Sequence, residues 1–349
     1  MMKRATVLKH FFFKYKILRT AIYLLVLGVA GGVEGSDFTY TNNGGRITIT
    51  DYTGPGGNVT IPSTIDGFPV TAIGEGAFSP SYSASNGITA VSFPSSLISI
   101  GDSSFLFCKD LASVTIPDSV TQLGEEAFCS CYTLTNVIIG RGIRRIGGGY
   151  MEGGPNKFGT FQWCTSLTRI AIPDNVTNIG DGAIHLGGAL GAFYFCSSLT
   201  NVTIGKGLSY LGAGAFNWCT NLTSVFFGGN APTIGVDYFG EDVFHVDDVA
   251  TVYYLPGTTG WGPTLAGVPT KLWNPQMRPA YGNLGAGTRQ FGFNIAGTAD
   301  IPIVIEASAN SAGDSWVDLQ SCTVTNGTID FSDPQSTALP ARFYRIRSP

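Results

Sequence analysis

Thiols, imidazoles and carboxylates are the groups most able to do chemistry near neutral pH, as nucleophiles, bases or metal ligands. The chain carries seven cysteines and three histidines. Cys108, Cys131, Cys164, Cys196 and Cys219 fall in one rhythm, while Cys129 and Cys322 stand apart from it. Cys129-x-Cys131 lacks the spacing of a zinc site and has no nearby histidine. His10 lies in the basic N-terminal segment, and His185 and His245 stand in Gly-rich or loop contexts. Neither has a Ser or Cys nucleophile motif beside it, and a triad needs a base oriented by a third group. No G-x-S-x-G, H-E-x-x-H or P-loop occurs. Asp237, Glu241, Asp242, Asp247 and Asp248 offer hard oxygen ligands, but their spacing is not that of an EF-hand loop. A solvated acidic loop is the better reading. Asn-x-Thr sequons at Asn58, Asn175, Asn201, Asn221 and Asn326 suit strand surfaces. The expectation is therefore no catalytic residue, no cofactor and no metal.

Composition narrows the remaining classes. Of 349 residues only 13% are charged, the net charge is -4, and 47 are glycine. Disorder needs low hydrophobicity with high net charge, and nucleic acid needs a basic stripe; neither is present. The basic run is Lys3, Arg4, Lys9, Lys14, Lys16 and Arg19, ahead of an apolar stretch from Ala21 to Ala30. That stretch is short for a bilayer span and ends in small residues, the pattern of a secretory signal peptide over 1–35. Cleavage is expected near Ala30 or Gly35. Membrane association is expected only through that peptide or an unidentified anchor.

The elements emerge from a repeat. Phe78, Phe105, Phe128, Phe161, Phe193 and Phe216 are separated by 27, 23, 33, 32 and 23 residues. Gly74, Gly101, Gly124, Gly147, Gly180 and Gly212 precede them, and each rhythmic cysteine follows its phenylalanine by three. Leu111, Leu134, Leu167, Leu199 and Leu222 come three residues later again. In Leu111-x-x-Val114-x-Ile116 the apolar residues alternate with Ser113 and Thr115, a strand with one buried face. Pro117 ends its ladder. A single unit cannot offset its own ordering entropy, so successive units must stack. Stacked cysteines then read as small buried groups, and parallel Cβ vectors suit a disulfide poorly.

The units resemble the BspA-like leucine-rich repeats of bacterial surface proteins, a 23-residue variant with the pattern I-G-x-x-A-F-x-x-C-x-x-L-x-x-V-x-I-P. The resemblance runs from about Val59 to Phe227; Ser104 and Thr160 replace the Ala before Phe, and Gly140 and Gly205 replace the Pro. It implies a β-rich leucine-rich-repeat solenoid and a cell-surface or secreted binding protein, with no fixed ligand.

The expected organisation is a β cap at the entrance of the array (36–70), the solenoid with its C-terminal cap (71–273), a linker (274–287) and a small β-sandwich-like domain (288–349). That last domain suits carbohydrate binding, anchoring or spacing. A protein or glycan is the expected partner, with a structural envelope or matrix spacer as the alternative and a glycan-active enzyme a weaker one. Two surfaces are candidates. The outward strand positions Ser113, Thr115, Asn136, Arg169, Asn201, Thr203 and Ser224 are small and polar apart from Arg169 and carry no carboxylate. The two long intervals exceed 23 residues by 10 and 9, both between the Ile-Gly pair and the next Phe. They carry Tyr150, Met151, Glu152, Asn156 and Lys157 in one insertion and His185 and Leu186 in the other. Insertions at equivalent seams are expected to emerge on one edge and meet.

Overall fold

In the computed structural model the described residues are 37–80, 84–147, 158–180, 183–185, 188–236, 243–244, 250–279, 291–310, 315–335 and 342–348. No α-helix occurs among them, only a short 3-10 turn at Thr325–Gly327. The repeats form coils that stack in register, each giving one strand to a long parallel sheet. Its strands in spatial order are Gly57–Thr60, Ile88–Ser92, Ser113–Thr115, Asn136–Ile138, Arg169–Ile172, Asn201–Ile204, Ser224–Phe227, Thr251–Tyr254 and Val268–Leu272. Thr264–Leu265 closes that end as an antiparallel hairpin partner. Val91, Val114, Val202, Val225 and Val252 alternate inward along these strands and are buried.

A second line of short parallel strands returns each coil. It runs through Phe68–Ile73, Ser99–Ile100 and Gln122–Leu123, then Arg145–Ile146, Asn178–Ile179, Tyr210–Leu211 and Thr233–Ile234. The glycines that end the first three of these strands, Gly74, Gly101 and Gly124, sit where the coils approach closely. A Cβ on Gly124 would lie 2.4 Å from the Asp102 nitrogen, and one on Gly101 2.8 Å from the Ile73 carbonyl. The third side is the turn that carries the phenylalanine. Its amides bond straight to the next coil, as in Phe105 N–H to Ala127 O (2.8 Å) and Phe193 N–H to Ala215 O (2.8 Å).

The core is a column of rings. Phe78, Phe105, Phe128, Phe161, Phe193, Phe216 and Phe244 stack at 4.7–5.8 Å with interplanar angles of 5–12°. Phe244 is a seventh member that sequence reading passed over. Its coil has Asp247 and Ala250 where the others have Cys and Leu, and one residue fewer before the strand, so the pattern dissolves there. At the other end the antiparallel hairpin of Phe38–Asn42 and Ile47–Tyr52 closes the column, with Tyr52 stacked on Phe78 at 5.2 Å.

Beyond the array lie two three-stranded antiparallel sheets. One orders Gln276–Pro279, Phe291–Ala296 and Thr328–Asp333; the other Val317–Val324, Ile301–Ser308 and Phe343–Arg347. Phe293, Ile295 and Phe331 of the first share an apolar cluster with Ile301, Ile303, Ile305 and Val324 of the second. Gln276–Pro279, expected in a linker, is instead an edge strand of this module, paired Gln276 with Ala296 and Met277 with Ile295. Pro275 and Pro279 made it read as a loop, yet an edge strand tolerates proline because it needs only half its amides. The remainder of that linker, from 280, lies outside the described residues, as does the expected signal peptide.

The module is seated on the array. Phe226 and Tyr253 point away from the coil core and enter the module's apolar cluster. The Trp273 indole N–H donates to the Pro302 carbonyl at 2.9 Å, and Lys271 faces Asp300 at 3.9 Å. Of the two tryptophans at the end of the array, only Trp261 covers the last coil, stacked on Tyr254 at 5.1 Å and edge-on to Phe227. Trp273 serves the module instead.

Candidate functional site

The outer face of the long sheet is a built surface. Register sets Ser113 beside Asn136, and Arg169 beside Asn201 and then Ser224. A second row runs Thr115, Ile138, Ala171, Thr203, Phe226 and Tyr253. Ser113, Thr115, Asn136 and Arg169 are exposed, and Asn201 and Thr203 are partly so. Ser224 is not exposed: it is 7% accessible, on the strand whose outward neighbour Phe226 is covered by the C-terminal module. The open face therefore ends at Asn201 and Thr203, beside the module. Ile138, 53% exposed at the centre of this face, was missed by sequence reading. Val137-Ile138-Ile139 is a continuous apolar run, and its middle member can be placed outward only once the register is known.

The two insertions are the other candidate surface. Tyr150, Met151, Glu152, Asn156, Lys157 and Leu186 lie outside the described residues. His185 ends a strand, Ala183–His185, that pairs antiparallel with Gly188–Leu190. The second of these strands leads into the turn of Phe193.

The cysteine column is a hydrogen-bond ladder. Each thiol donates to the carbonyl of the phenylalanine one coil before: Cys131 to Phe105 (3.3 Å), Cys164 to Phe128 (3.3 Å), Cys196 to Phe161 (3.2 Å). Cys108 and Cys219 do the same to Phe78 and Phe193. The seven cysteines are free thiols. Burial pushes the Cys108 and Cys196 thiols up to about 12, and Cys129, Cys131 and Cys164 well above the ordinary thiol value. Such thiols remain protonated and are poor nucleophiles and poor metal ligands. Among the described residues no three His, Cys, Asp or Glu side chains gather as a metal-binding group. Burial alone would raise Glu306 in the module, but hydrogen bonds and charge from Arg345 and Arg347 outweigh it and hold the carboxyl below its ordinary range. Arg347 Nη2 also donates to both Asp318 carboxylate oxygens at 2.8 Å, which ties the two outer strands of that sheet together.

The turns following the phenylalanine column add a feature that sequence reading missed altogether. The residue two beyond five of the phenylalanines is left-handed: Phe107, Ser130, Trp163, Phe195 and Trp218 have φ of 60–65°. Phe107 and Ser130 are buried, whereas Trp163, Phe195 and Trp218 are partly exposed. Their position in every unit was countable in the sequence. Their aromatic character was passed over because the cysteine beside them set the pattern.

Comparison with known proteins places this architecture. A leucine-rich repeat protein of T. pallidum is 28% identical over 63% of this chain and 86% of its own, with a TM-score of 0.46. One from Bacteroides ovatus is 22% identical over 63% and 70%, with a TM-score of 0.35. A leucine-rich cell surface protein from Faecalibacterium prausnitzii is 19% identical over 65% and 89%, with a TM-score of 0.32. No curated protein matches the chain. The model of the BspA type leucine rich repeat region, in six copies, matches residues 57–156 and 157–244, more than half of the chain. With its stacked phenylalanines, laddered thiols and parallel strands, the chain belongs to the BspA type leucine-rich repeat family.

Proposed function

We propose that this protein is exported, is secreted or displayed at the cell surface, and binds a protein or glycan through its solenoid array without catalysing a reaction. The observation that carries this reading is the open outer face of the long sheet. Hydrogen bonds along all three sides of the coil hold it rigid, and it presents Ser113, Thr115, Asn136, Ile138 and Arg169 to solvent. A rigid scaffold lowers the entropy lost on binding, and a central apolar side chain with polar neighbours has the make-up of an interaction surface. Membership of the family supports the location.

A glycan array and a pull-down with the mature protein identify the ligand, after which the double variant Ile138→Asp and Arg169→Glu is compared with the parent. The variant is expected to melt as the parent does and to lose capture. Equal capture by both would move the site off this face, and shortening Gly148–Asn156 and Ile184–Gly191 to the standard unit then tests the paired insertions. N-terminal sequencing of exported material tests the other half of the proposal; a chain beginning at Met1 would refute cleavage within 31–36.

A further inference from the structure

Backbone hydrogen bonds to the next coil hold the left-handed residue of the turn in place, and leave its side chain unexplained. Trp163 N–H reaches Tyr194 O and Phe195 N–H reaches Asn217 O, both at 2.9 Å, while the phenylalanine two residues earlier also bonds to the next coil. The left-handed backbone recurs at the residue that makes the second of these bonds. Glycine or asparagine would meet that demand with less strain than any bulky side chain. In three consecutive coils the position holds Trp163 (φ 61°), Phe195 (φ 60°) and Trp218 (φ 65°) instead.

These rings are not sealed as Phe107 is. Trp163, Phe195 and Trp218 are partly exposed, as are Tyr194 and Phe158 beside them. Phe195 lies 6.0 Å from Trp218 and 6.2 Å from Tyr194, and Phe158 lies 6.1 Å from Trp163. The indole N–H groups of Trp163 and Trp218 have no hydrogen-bond partner among the described residues. The turns that carry the rings have no charge of their own: residues 158–167, 191–200 and 212–223 contain no Asp, Glu, Lys or Arg, and the Glu126 carboxylate that accepts from the Phe158 N–H at 2.8 Å is buried. The accessible residues that follow the rings in each turn offer hydroxyl and amide, at Thr165, Ser166, Ser197, Ser198, Thr220 and Asn221.

We propose that Trp163, Phe195 and Trp218 form a binding strip for a neutral polysaccharide lying along the array. A sugar ring offers an apolar C–H face to an aromatic side chain and a rim of hydroxyls to N–H, amide and hydroxyl groups. The strip supplies these and nothing else. An acidic glycan would call for arginine or lysine, and a protein partner for a rim with charge and arginine anchors. Coils repeat at about 4.8 Å, so a linear chain of sugars meets an aromatic side chain at each of three successive steps. This strip lies on the turn side of the coil, not on the strand face, and the two assignments succeed or fail separately.

Native affinity electrophoresis of the full mature chain tests it, in gels holding a neutral β-glucan, a mannan, a starch or alginate as the acidic comparison. Retardation is expected in at least one neutral gel and is expected to persist at high salt, since no ion pair is involved. Trp163→Gly and Trp218→Gly, which relieve the backbone, are each expected to weaken it by about tenfold or more, with quenching of tryptophan fluorescence lost in parallel. Ile98→Asp, at an exposed position on the returning side of the coil, is expected to leave it unchanged. No retardation in any neutral gel, retardation by alginate alone, or glycine variants that run as the parent does would each overturn the proposal. Should the glycine variants not fold, Trp163→Leu and Trp218→Leu decide by the same criterion, because they keep an apolar filler and remove the ring.

Discussion

Phe128 shows how much one residue carries. Its ring is fully buried between Phe105 at 5.2 Å and Phe161 at 5.5 Å. Phe128→Ala opens a cavity that two rigid coils cannot close, and is expected to cost about 3–5 kcal/mol, read from urea unfolding. The thiols one turn away give a pH signature. Their folded values lie above the ordinary 9.0, up to about 12 at Cys108 and Cys196, so above pH 9 the folded chain holds protons that the unfolded chain has released. Stability is therefore fully present below pH 9 and falls as pH rises toward 12. Thermal melts of the parent and of Cys196→Val check this: the variant is expected to lose less stability between pH 8 and pH 10.5. An equal loss in both would mean that this thiol does not titrate on unfolding.

At the scale of the element, close packing of coils decides which positions tolerate change. Gly124 ends a two-residue strand whose neighbour is a single backbone away, with Asp102 N and Gly101 C both 2.4 Å from where a Cβ would stand. Gly124→Ala is expected to spread the coils and cost about 1–3 kcal/mol, visible as a lower melting temperature. A melt within error of the parent would show that this side of the coil is looser than its geometry implies. The glycine column was legible in the sequence as a rhythm, but its cause was not. Nothing in the pattern I-G-x-x-A-F says that the glycine faces another coil's backbone rather than a turn.

For the whole molecule, the seat of the C-terminal module on the sheet is the main surprise. Phe226, Tyr253 and Trp273 would be an exposed aromatic patch on the array alone, and together with the module they form one apolar cluster. Trp273→Ala removes both the edge-on contact with Phe226 at 6.1 Å and the hydrogen bond to Pro302. That variant is expected to loosen the module, so that limited proteolysis separates it while the array remains resistant. A module that stays as protected as in the parent would show that Trp273 is dispensable to the docking.

The sequence alone determined the coil. Phe, Cys and Leu recur at fixed offsets because each must fill the same place in one continuous core, and a demand repeated six times is visible as a period. The β character of the C-terminal module was legible for the same kind of reason, alternation with one buried face. Tertiary structure alone decided what depends on registration between distant segments. It turned Ile138 outward and buried Ser224 near the seat of the module. It placed Trp273 against Pro302 instead of the coil, and gathered Trp163, Phe195 and Trp218 along one edge. A period reports what every unit shares. A surface is made of what each unit does differently, and those differences acquire a position only when the coils are stacked.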